Sequence, residues 1–253
     1  MKILVIAPAR TSSTALTAYL AQIKGNLTNF NEKVGTNLDT IHQPWFNPNF
    51  DELRPSIQKT LEEELDNLFS NQDKFIVKFL GLHLKGLSYY IDAINPKRFD
   101  EVHLVERSNF LEQACSRCVA RNEGIWINLT SREDRRNFYN ELSKKEKYRE
   151  LTYDHIGIAA NDIQQYLLCK KYLQNNNITY QQHYYESPIF ESQKVEGMQE
   201  TGLNYSFLIK NYHWYKDLNS YFYQYFNYQT CRADYKEFIK TFPDYLANQN
   251  NRD

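Results

Sequence analysis

The sequence predicts an α/β fold in which a mostly parallel β-sheet is flanked by helices. Short apolar runs, typical of strands that are buried on both faces, recur along the chain. They alternate with longer segments of helical periodicity, and this alternation indicates a parallel sheet covered by helices. The chain has 253 residues and is 42% hydrophobic, which is enough for one sizeable core. We therefore expect a single domain over residues 1–253, with a helical, aromatic-rich C-terminal part at about 190–247.

The first elements follow from one apolar run and the helical spacing after it. Residues 3–7, Ile-Leu-Val-Ile-Ala, form a continuous run ended by a Pro, which predicts a buried strand. Apolar residues spaced by three and four then predict a helix over residues 14–23, which stops near Gly25. The stretch 28–35 is loop-like, and residues 35–50 contain two Pro and several Asn, which predicts an irregular loop.

The middle of the chain alternates helices with strands. A Glu-rich amphipathic pattern predicts a helix over residues 57–69, and Phe-Ile-Val-Lys-Phe-Leu predicts a second buried strand at 75–80. A helix over 84–94 is closed by Asn-Pro. Val-His-Leu-Val at 102–105 predicts a third strand, and a helix from residue 110 to near residue 120 follows it directly.

The last third of the chain is less regular. Residues 131–151 are densely charged, which is typical of a solvated helix or loop. A long helix is predicted over 156–173, ending before three consecutive Asn, and a strand over 178–185. Beyond Pro188 the pattern favours loops and aromatic-rich helices, such as one at 221–228.

Composition excludes several classes of protein. The net charge of −1 provides no general attraction to nucleic acid or to an anionic membrane, so we expect neither as a partner. The first apolar run is too short for a signal peptide and no stretch reaches the length of a membrane span, which favours a cytoplasmic protein. Cys115 and Cys118 form a C-x-x-C within a helical pattern, but no second pair or nearby His completes a zinc set, so we interpret them as helix packing.

The loop after the first strand has the composition of an anion site. In open α/β sheets, ligands bind at the carboxyl ends of the strands. Here the loop runs from the strand into a helix N-terminus, where unpaired N–H groups and the helix dipole favour negative charge. An ordinary Ser/Thr helix cap beside a surface Arg is the alternative. The donors that this segment contributes are Arg10, Thr11, Ser12, Ser13 and Thr14.

A second candidate anion site follows the third strand. Arg107 lies where this strand ends, and Ser116 lies nine residues later inside the next helix. An Arg in this place can bind a phosphate through two hydrogen bonds, and a helical Ser can add a hydroxyl donor. Taken alone, the segment favours a different interpretation, with Arg107 as a surface residue and Ser116 as a small residue facing the core.

Together the two segments resemble the PAPS-dependent sulfotransferase family, most closely its bacterial carbohydrate sulfotransferases. The family loop Pro-x-[Arg/Lys]-[Ser/Thr]-Gly-[Ser/Thr]-[Ser/Thr]-x-Leu is matched by Pro-Ala-Arg-Thr-Ser-Ser-Thr-Ala-Leu at 8–16. The family's strand–Arg motif with a Ser nine residues on is matched by Arg107 and Ser116. Further likenesses are Ala-Arg-Asn-Glu-Gly-Ile-Trp at 120–126, Tyr-Glu at 185–186 and the Lys-bearing strand at 75–79. Ser12 departs from the pattern, because the family has Gly there.

The resemblance, which covers most of residues 1–190, implies a P-loop-like sulfotransferase architecture and a single reaction. A sulfuryl group would move from the nucleotide PAPS to a hydroxyl or amine of a small-molecule or glycan acceptor, leaving PAP, with no metal. The loop residues Arg10, Thr11, Ser12, Ser13 and Thr14 would hold the 5′-phosphosulfate, and Arg107 and Ser116 the 3′-phosphate. If position 12 needs a positive φ, Ser there costs about 1 kcal/mol or more.

An acceptor hydroxyl also needs a general base, because its own pKa lies far above 7. The candidates are Glu32, where the bacterial enzymes carry a Glu, and then His42 and His83. Lys78 can face the sulfuryl group, or it can extend along its strand to solvent. Trp45 and Trp126 are suited to stacking on a sugar acceptor, and equally on a phenol or a peptide Tyr.

Two other functions compete with this one. A nucleotide kinase or hydrolase of related architecture could use the same loop on ATP, although the sequence has no G-x-x-x-x-G-K-[ST] motif. A non-catalytic binding module could keep the fold, and Ser12 is the feature that favours it. A chain that binds PAP more tightly than ATP is a sulfotransferase and not a kinase or hydrolase. A chain that does not bind PAP fits the non-catalytic module.

Overall fold

The computed structural model describes residues 1–31, 34, 50–81, 87–123, 141–142, 144, 149–185, 205–227, 232–233 and 241. The chain divides into two compact units, and each is made of two chain segments. The first unit comprises Met1–Glu106 and Asn161–Tyr185, and the second comprises Arg107–Ala160 and Glu186–Asp253.

A five-stranded, all-parallel sheet forms the first unit, in the order β2-β3-β1-β4-β5. The three central strands are buried along nearly their whole length, as their continuous apolar runs require. The predicted α/β fold class, a parallel sheet flanked by helices, is therefore confirmed. The strands are β1 Lys2–Ala7, β2 Thr28–Asn31, β3 Phe75–Leu80, β4 Glu101–Glu106 and β5 Gln181–Tyr184.

Seven helices lie in the described part of the chain, with short 3₁₀ turns at Leu87–Tyr89, Pro96–Arg98 and Tyr212–Tyr215. The fifth helix begins in the second unit and continues into the first. The second unit also contains a two-stranded antiparallel pair, β6 Phe226–Asn227 with β7 Arg232–Ala233. The helices are α1 Ser13–Ile23, α2 Phe50–Asn71, α3 Ile91–Ile94, α4 Phe110–Asn122, α5 Tyr153–Asn175, α6 Tyr205–Leu208 and α7 Leu218–Tyr225.

The sequence prediction was wrong for two elements of the first unit. The start of the stretch interpreted as a loop is β2, because Thr28 and Asn29 pair with β3 and the ring of Phe30 packs edge-on against Phe75 at 6.3 Å. Pairing and packing here override the low strand propensity of Asn. The helix predicted from residue 57 begins at Phe50 and continues through a proline at position 55.

A third difference concerns the helix predicted over residues 84–94. In its described part, the chain forms the 3₁₀ turn Leu87–Tyr89 and the four-residue helix α3 instead. Leu87, Tyr90 and Ile94 of this segment are buried. The spacing of three and four does not distinguish a 3₁₀ turn from an α-helix over so few residues.

A chain of polar side chains links the buried strand β4 to the edge strand β5. Lys24 Nζ donates to Glu101 Oε1 at 2.7 Å, and Glu101 Oε2 lies 3.0 Å from His103 Nε2. His103 Nδ1 lies 2.9 Å from His183 Nε2, and the two imidazole rings are stacked. Burial lowers the pKa of His103, while burial and the neighbouring His103 lower the pKa of His183 to about 4.

We expect the stability of the protein to fall as the pH falls from about 6.5 toward 4, in part because of this histidine pair. Both imidazoles are held neutral in the folded chain, whereas a histidine in the unfolded chain takes up a proton near pH 6.5. The unfolded state therefore binds more protons in this window. Thermal unfolding of the wild type and His183→Gln across the window tests this. The variant should show a shallower loss of Tm, and an identical slope would contradict the assignment.

Candidate anion-binding site

The candidate site lies at the carboxyl edge of the sheet, where β1 and β3 end side by side. Ala7 pairs with Leu80, and the N–H of Gly81 donates to the carbonyl oxygen of Ala7 at 3.0 Å. The loop that leaves β1 therefore starts beside the chain that leaves β3. This is the edge at which open α/β sheets bind ligands.

Two non-glycine residues of the loop have left-handed backbones. Arg10 has a φ of 68° and Ser12 a φ of 59°. Thr11, between them, is fully buried, and its hydroxyl donates to the carbonyl oxygen of Pro8 at 2.8 Å. Residues with a Cβ seldom adopt this conformation, and strain of this kind persists only where the surroundings enforce it. Ser12 is also the position at which the family pattern has Gly.

The loop delivers the N-terminus of α1 to this edge. Ser12 is the N-cap of α1, and its carbonyl oxygen accepts from the N–H groups of Ala15 and Leu16 at 2.9 and 3.2 Å. Within the described part of the chain, the N–H groups of Ser13 and Thr14 have no hydrogen-bond acceptor. These first N–H groups and the positive end of the helix dipole form an environment that favours an anion.

Lys78 brings a buried positive charge to the same helix end. Its side chain leaves β3 only 1% exposed, and Nζ donates to Thr14 Oγ1 at 2.6 Å. Of the two orientations considered from the sequence, the structure therefore has the inward one, and extension to solvent was wrong. A buried ammonium group is costly unless polar groups surround it, and Thr14 Oγ1 is one such group.

Sequence reasoning missed Asp162, which contacts the loop from helix α5. This side chain is fully buried, and its Oδ2 accepts a hydrogen bond from the N–H of Ala9 at 2.6 Å. The only local signal is an acidic residue inside an otherwise apolar helical segment, Ile-Ala-Ala-Asn-Asp-Ile at 158–163. A buried carboxylate within such a segment is uncommon enough to be noticed, but its partner in the sequence is 153 residues away.

The second predicted motif belongs to the second unit. Arg107 is 5% exposed, so it is not a surface residue, and its Nη2 lies 2.5 Å from Glu112 Oε2. Glu112 stands in the first turn of α4, where the Asn109 side chain caps the helix by accepting the Glu112 N–H at 3.1 Å. Ser116 is buried in the same helix. Arg107 is thus held in place, with a carboxylate on its guanidinium.

The two helical cysteines of α4 fit their interpretation as packing residues. Cys115 and Cys118 are buried free thiols. Burial raises the pKa of both, that of Cys118 to about 11, and Cys118 Sγ donates to the Glu150 carbonyl oxygen at 3.3 Å. Among the described residues, no three His, Cys, Asp or Glu side chains are grouped to hold a metal ion.

Several predicted site residues lie outside the described residues. These are the candidate bases Glu32, His42 and His83, and the aromatic residues Trp45 and Trp126. Their assignments stay predictions. The structure does bring Lys78 to the loop that carries Arg10, Thr11, Ser12, Ser13 and Thr14.

Comparison with known proteins adds no family assignment. No protein-family model matches the sequence, and no curated protein matches it. The resemblance to sulfotransferases therefore depends on the motif residues themselves.

In the described chain, none of the helices combines the length and apolar character needed to cross a bilayer.

Replacing Ser12 with Gly is expected to stabilise the fold by about 1 kcal/mol, because Gly adopts the left-handed backbone without a Cβ penalty. Urea unfolding of the two proteins measures this difference. Ala18→Gly provides the matched control, since residue 18 is an exposed Ala inside α1, where Gly is expected to destabilise by about 1 kcal/mol. A loss of stability in Ser12→Gly would show that the Ser side chain holds the loop and outweighs the backbone strain.

Proposed function

We propose that this chain is a sulfotransferase that moves a sulfuryl group from PAPS to a hydroxyl or amine of a small-molecule or glycan acceptor. The observation that carries the proposal is the buried Lys78 ammonium, 2.6 Å from Thr14 Oγ1 at the N-terminus of α1. This contact places a fixed positive charge on the loop that resembles the family's 5′-phosphosulfate loop. The left-handed Ser12, at the family's Gly position, supports the same assignment.

The loop residues divide into those that shape the site and those that bind the donor. Thr11 uses its hydroxyl on Pro8, so its role is to hold the loop. The N–H groups of Ser13 and Thr14, together with Lys78, are the proposed donors to the 5′-phosphosulfate. Arg10 and Ser12 join them by resemblance. Arg107 and Ser116 are proposed for the 3′-phosphate, also by resemblance.

The proposed chemistry is an in-line displacement at sulfur. The acceptor oxygen or nitrogen forms the new bond to sulfur while the bond from sulfur to the bridging phosphate oxygen breaks, and PAP leaves. A base takes the acceptor proton, and Glu32 or His42 is proposed for this step. Charge develops on the leaving oxygen and the sulfuryl oxygens, so fixed positive groups that are already in place lower the barrier. Lys78 and the α1 N-terminus are proposed to supply this stabilisation without a metal.

A P-loop-like architecture is part of the proposal. The parallel order β2-β3-β1-β4-β5, with an anion loop between the central β1 and α1, is compatible with it. In a Walker A motif the Lys belongs to the loop itself, directly before its Ser/Thr. Here the loop has no Lys, and the ammonium group comes from β3 instead. This difference favours a sulfotransferase over a nucleotide kinase or hydrolase.

Transfer of radiolabelled sulfate from PAPS tests the proposed function. The chain is incubated with [³⁵S]PAPS and a mixed panel of glycans, phenols and small alcohols, and in parallel with γ-labelled ATP and Mg²⁺. We expect label from PAPS in at least one acceptor, and none from ATP. Label from ATP alone would overturn the proposal in favour of a kinase. Absence of both labels, combined with no PAP binding, would favour the non-catalytic module.

A further inference from the structure

Asp162 is a buried group of the first unit whose position the proposed chemistry leaves unexplained. A carboxylate that is fully buried and close to an anion-binding loop opposes the anion electrostatically. It also costs free energy to bury. Its contact offers an explanation, because Oδ2 accepts a short hydrogen bond from the N–H of Ala9, at 2.6 Å.

The bonded N–H lies directly before the strained part of the loop. Ala9 is followed by Arg10 with φ 68° and, two residues later, by Ser12 with φ 59°. Such backbones persist only where neighbouring contacts enforce them. From inside the loop, the Thr11 hydroxyl provides one such contact, to Pro8. Asp162 provides another from helix α5, and it fixes the point at which the chain leaves β1.

Gly81 has no side chain, and Asp162 occupies the space where a Cβ of residue 81 would lie. A Cβ at residue 81 would collide with the backbone carbonyl oxygen and the carboxylate of Asp162. The collision involves backbone, so it cannot be relieved by turning a flexible side chain. The N–H of Gly81 also donates to the Ala7 carbonyl oxygen at 3.0 Å. The ends of β1 and β3 therefore fit around Asp162, which touches both.

We infer that Asp162 is a positioning residue for the anion loop. Its carboxylate holds the Ala9 N–H, and thereby keeps Arg10 and Ser12 in the left-handed turn that directs the first N–H groups of α1 to the bound anion. For the identity of that anion, the 5′-phosphosulfate group, the inference rests on the proposed function. The holding of the loop itself does not depend on it.

The test compares the full chain with Asp162→Ala, Asp162→Asn, Gly81→Ala and the double variant Asp162→Ala/Ser12→Gly. The dissociation constant for PAP is measured by calorimetry, and hydrogen exchange at the Ala9 amide by NMR. We expect Asp162→Ala to weaken PAP binding by about tenfold and to speed Ala9 exchange by at least as much, relative to exchange in the sheet. Asp162→Asn keeps an acceptor oxygen and should stay within about threefold of wild type in both. Gly81→Ala introduces a Cβ that collides with the Asp162 backbone carbonyl oxygen as well as its carboxylate, so it should displace the acceptor oxygen and weaken PAP binding at least as much as Asp162→Ala.

The double variant separates positioning from general stability. Gly at residue 12 removes the cost of the left-handed turn, so it should recover most of the PAP affinity lost in Asp162→Ala. Unchanged PAP affinity in Asp162→Ala, or a loss that Ser12→Gly does not recover, would overturn the inference. If the wild type does not bind PAP, the proposed function fails, and the positioning role of Asp162 is then judged from hydrogen exchange at the Ala9 amide alone. An exchange rate in Asp162→Ala equal to that of the wild type would overturn this role. If that variant does not fold, the double variant Asp162→Ala/Ser12→Gly takes its place, because it also lacks the acceptor oxygen, and wild-type Ala9 exchange there would overturn the inference.

Discussion

Replacing Lys78 with Met is expected to lower kcat for sulfuryl transfer by about 10²- to 10³-fold, the usual effect of removing one fixed group that stabilises transition-state charge. Met keeps most of the length of the side chain and removes its charge. The fold should survive, because a buried ammonium is replaced by an apolar group in a buried strand. Steady-state kinetics give kcat and KM, and the loss should appear mainly in kcat if the Nζ acts on the leaving group.

Lys170→Met is the matched control for this experiment. Lys170 is another lysine of the first unit, its side chain is 12% exposed, and its Nζ lies 3.3 Å from Glu106 Oε2. Its removal tests whether the loss of any buried ammonium lowers turnover. We expect kcat to stay within about threefold of wild type, since Lys170 has no proposed role in catalysis. Retained kcat in Lys78→Met, or an equal loss in both variants, would remove Lys78 from the mechanism.

Replacing Arg107 with Ala is expected to weaken PAP binding by about 10- to 100-fold, the value of one lost charge-assisted contact. Adenosine 5′-phosphosulfate, which lacks the 3′-phosphate, should be affected far less. Calorimetry with both ligands measures the difference. Equal weakening of both ligands would show that Arg107 is structural and does not bind the 3′-phosphate.

Glu112→Gln is expected to change PAP affinity in the opposite direction from Arg107→Ala, because it removes the carboxylate that contacts Arg107. The Glu112 carboxylate lies 2.5 Å from Arg107 Nη2, so it competes with a phosphate for the guanidinium. Removing its charge should strengthen PAP binding, while Gln remains acceptable in the first turn of α4. Weaker PAP binding in Glu112→Gln would indicate that Glu112 holds Arg107 in its binding orientation.

The parts of the fold that could be predicted from the sequence are those fixed by local pattern. The sequence predicted β1 and β3 correctly because both faces of each strand are buried, so their residues are apolar apart from Lys78 and from Lys2 at the start of β1. β2 could not be predicted, because it has only four residues, two of them Asn, which is depleted in strands, and because its conformation depends on pairing with β3. Its partner lies more than forty residues away along the chain.

The residue types that form the candidate site could be predicted from the sequence, whereas their backbone conformation and contacts could not. The Arg and hydroxyl residues between a strand and a helix indicated an anion loop, and the family's Gly at position 12 hinted at the positive φ found there. The residues around Arg10 give no signal in the sequence for the positive φ found there. The direction of the Lys78 side chain could not be predicted either, because a strand that is buried on both faces has no solvent-facing side in its sequence pattern. Asp162 meets the loop only through the tertiary fold.

Thermal unfolding with PAP and with ATP·Mg²⁺ at matched concentration tests the central claim most directly. A ligand that binds only the folded chain raises Tm through linkage, by an amount set by its affinity. If the loop at residues 8–14 and the buried Lys78 form a PAPS site, PAP raises Tm clearly and ATP·Mg²⁺ has little effect. Equal shifts with the two nucleotides, or a shift with ATP·Mg²⁺ alone, would contradict the assignment of PAPS as the donor.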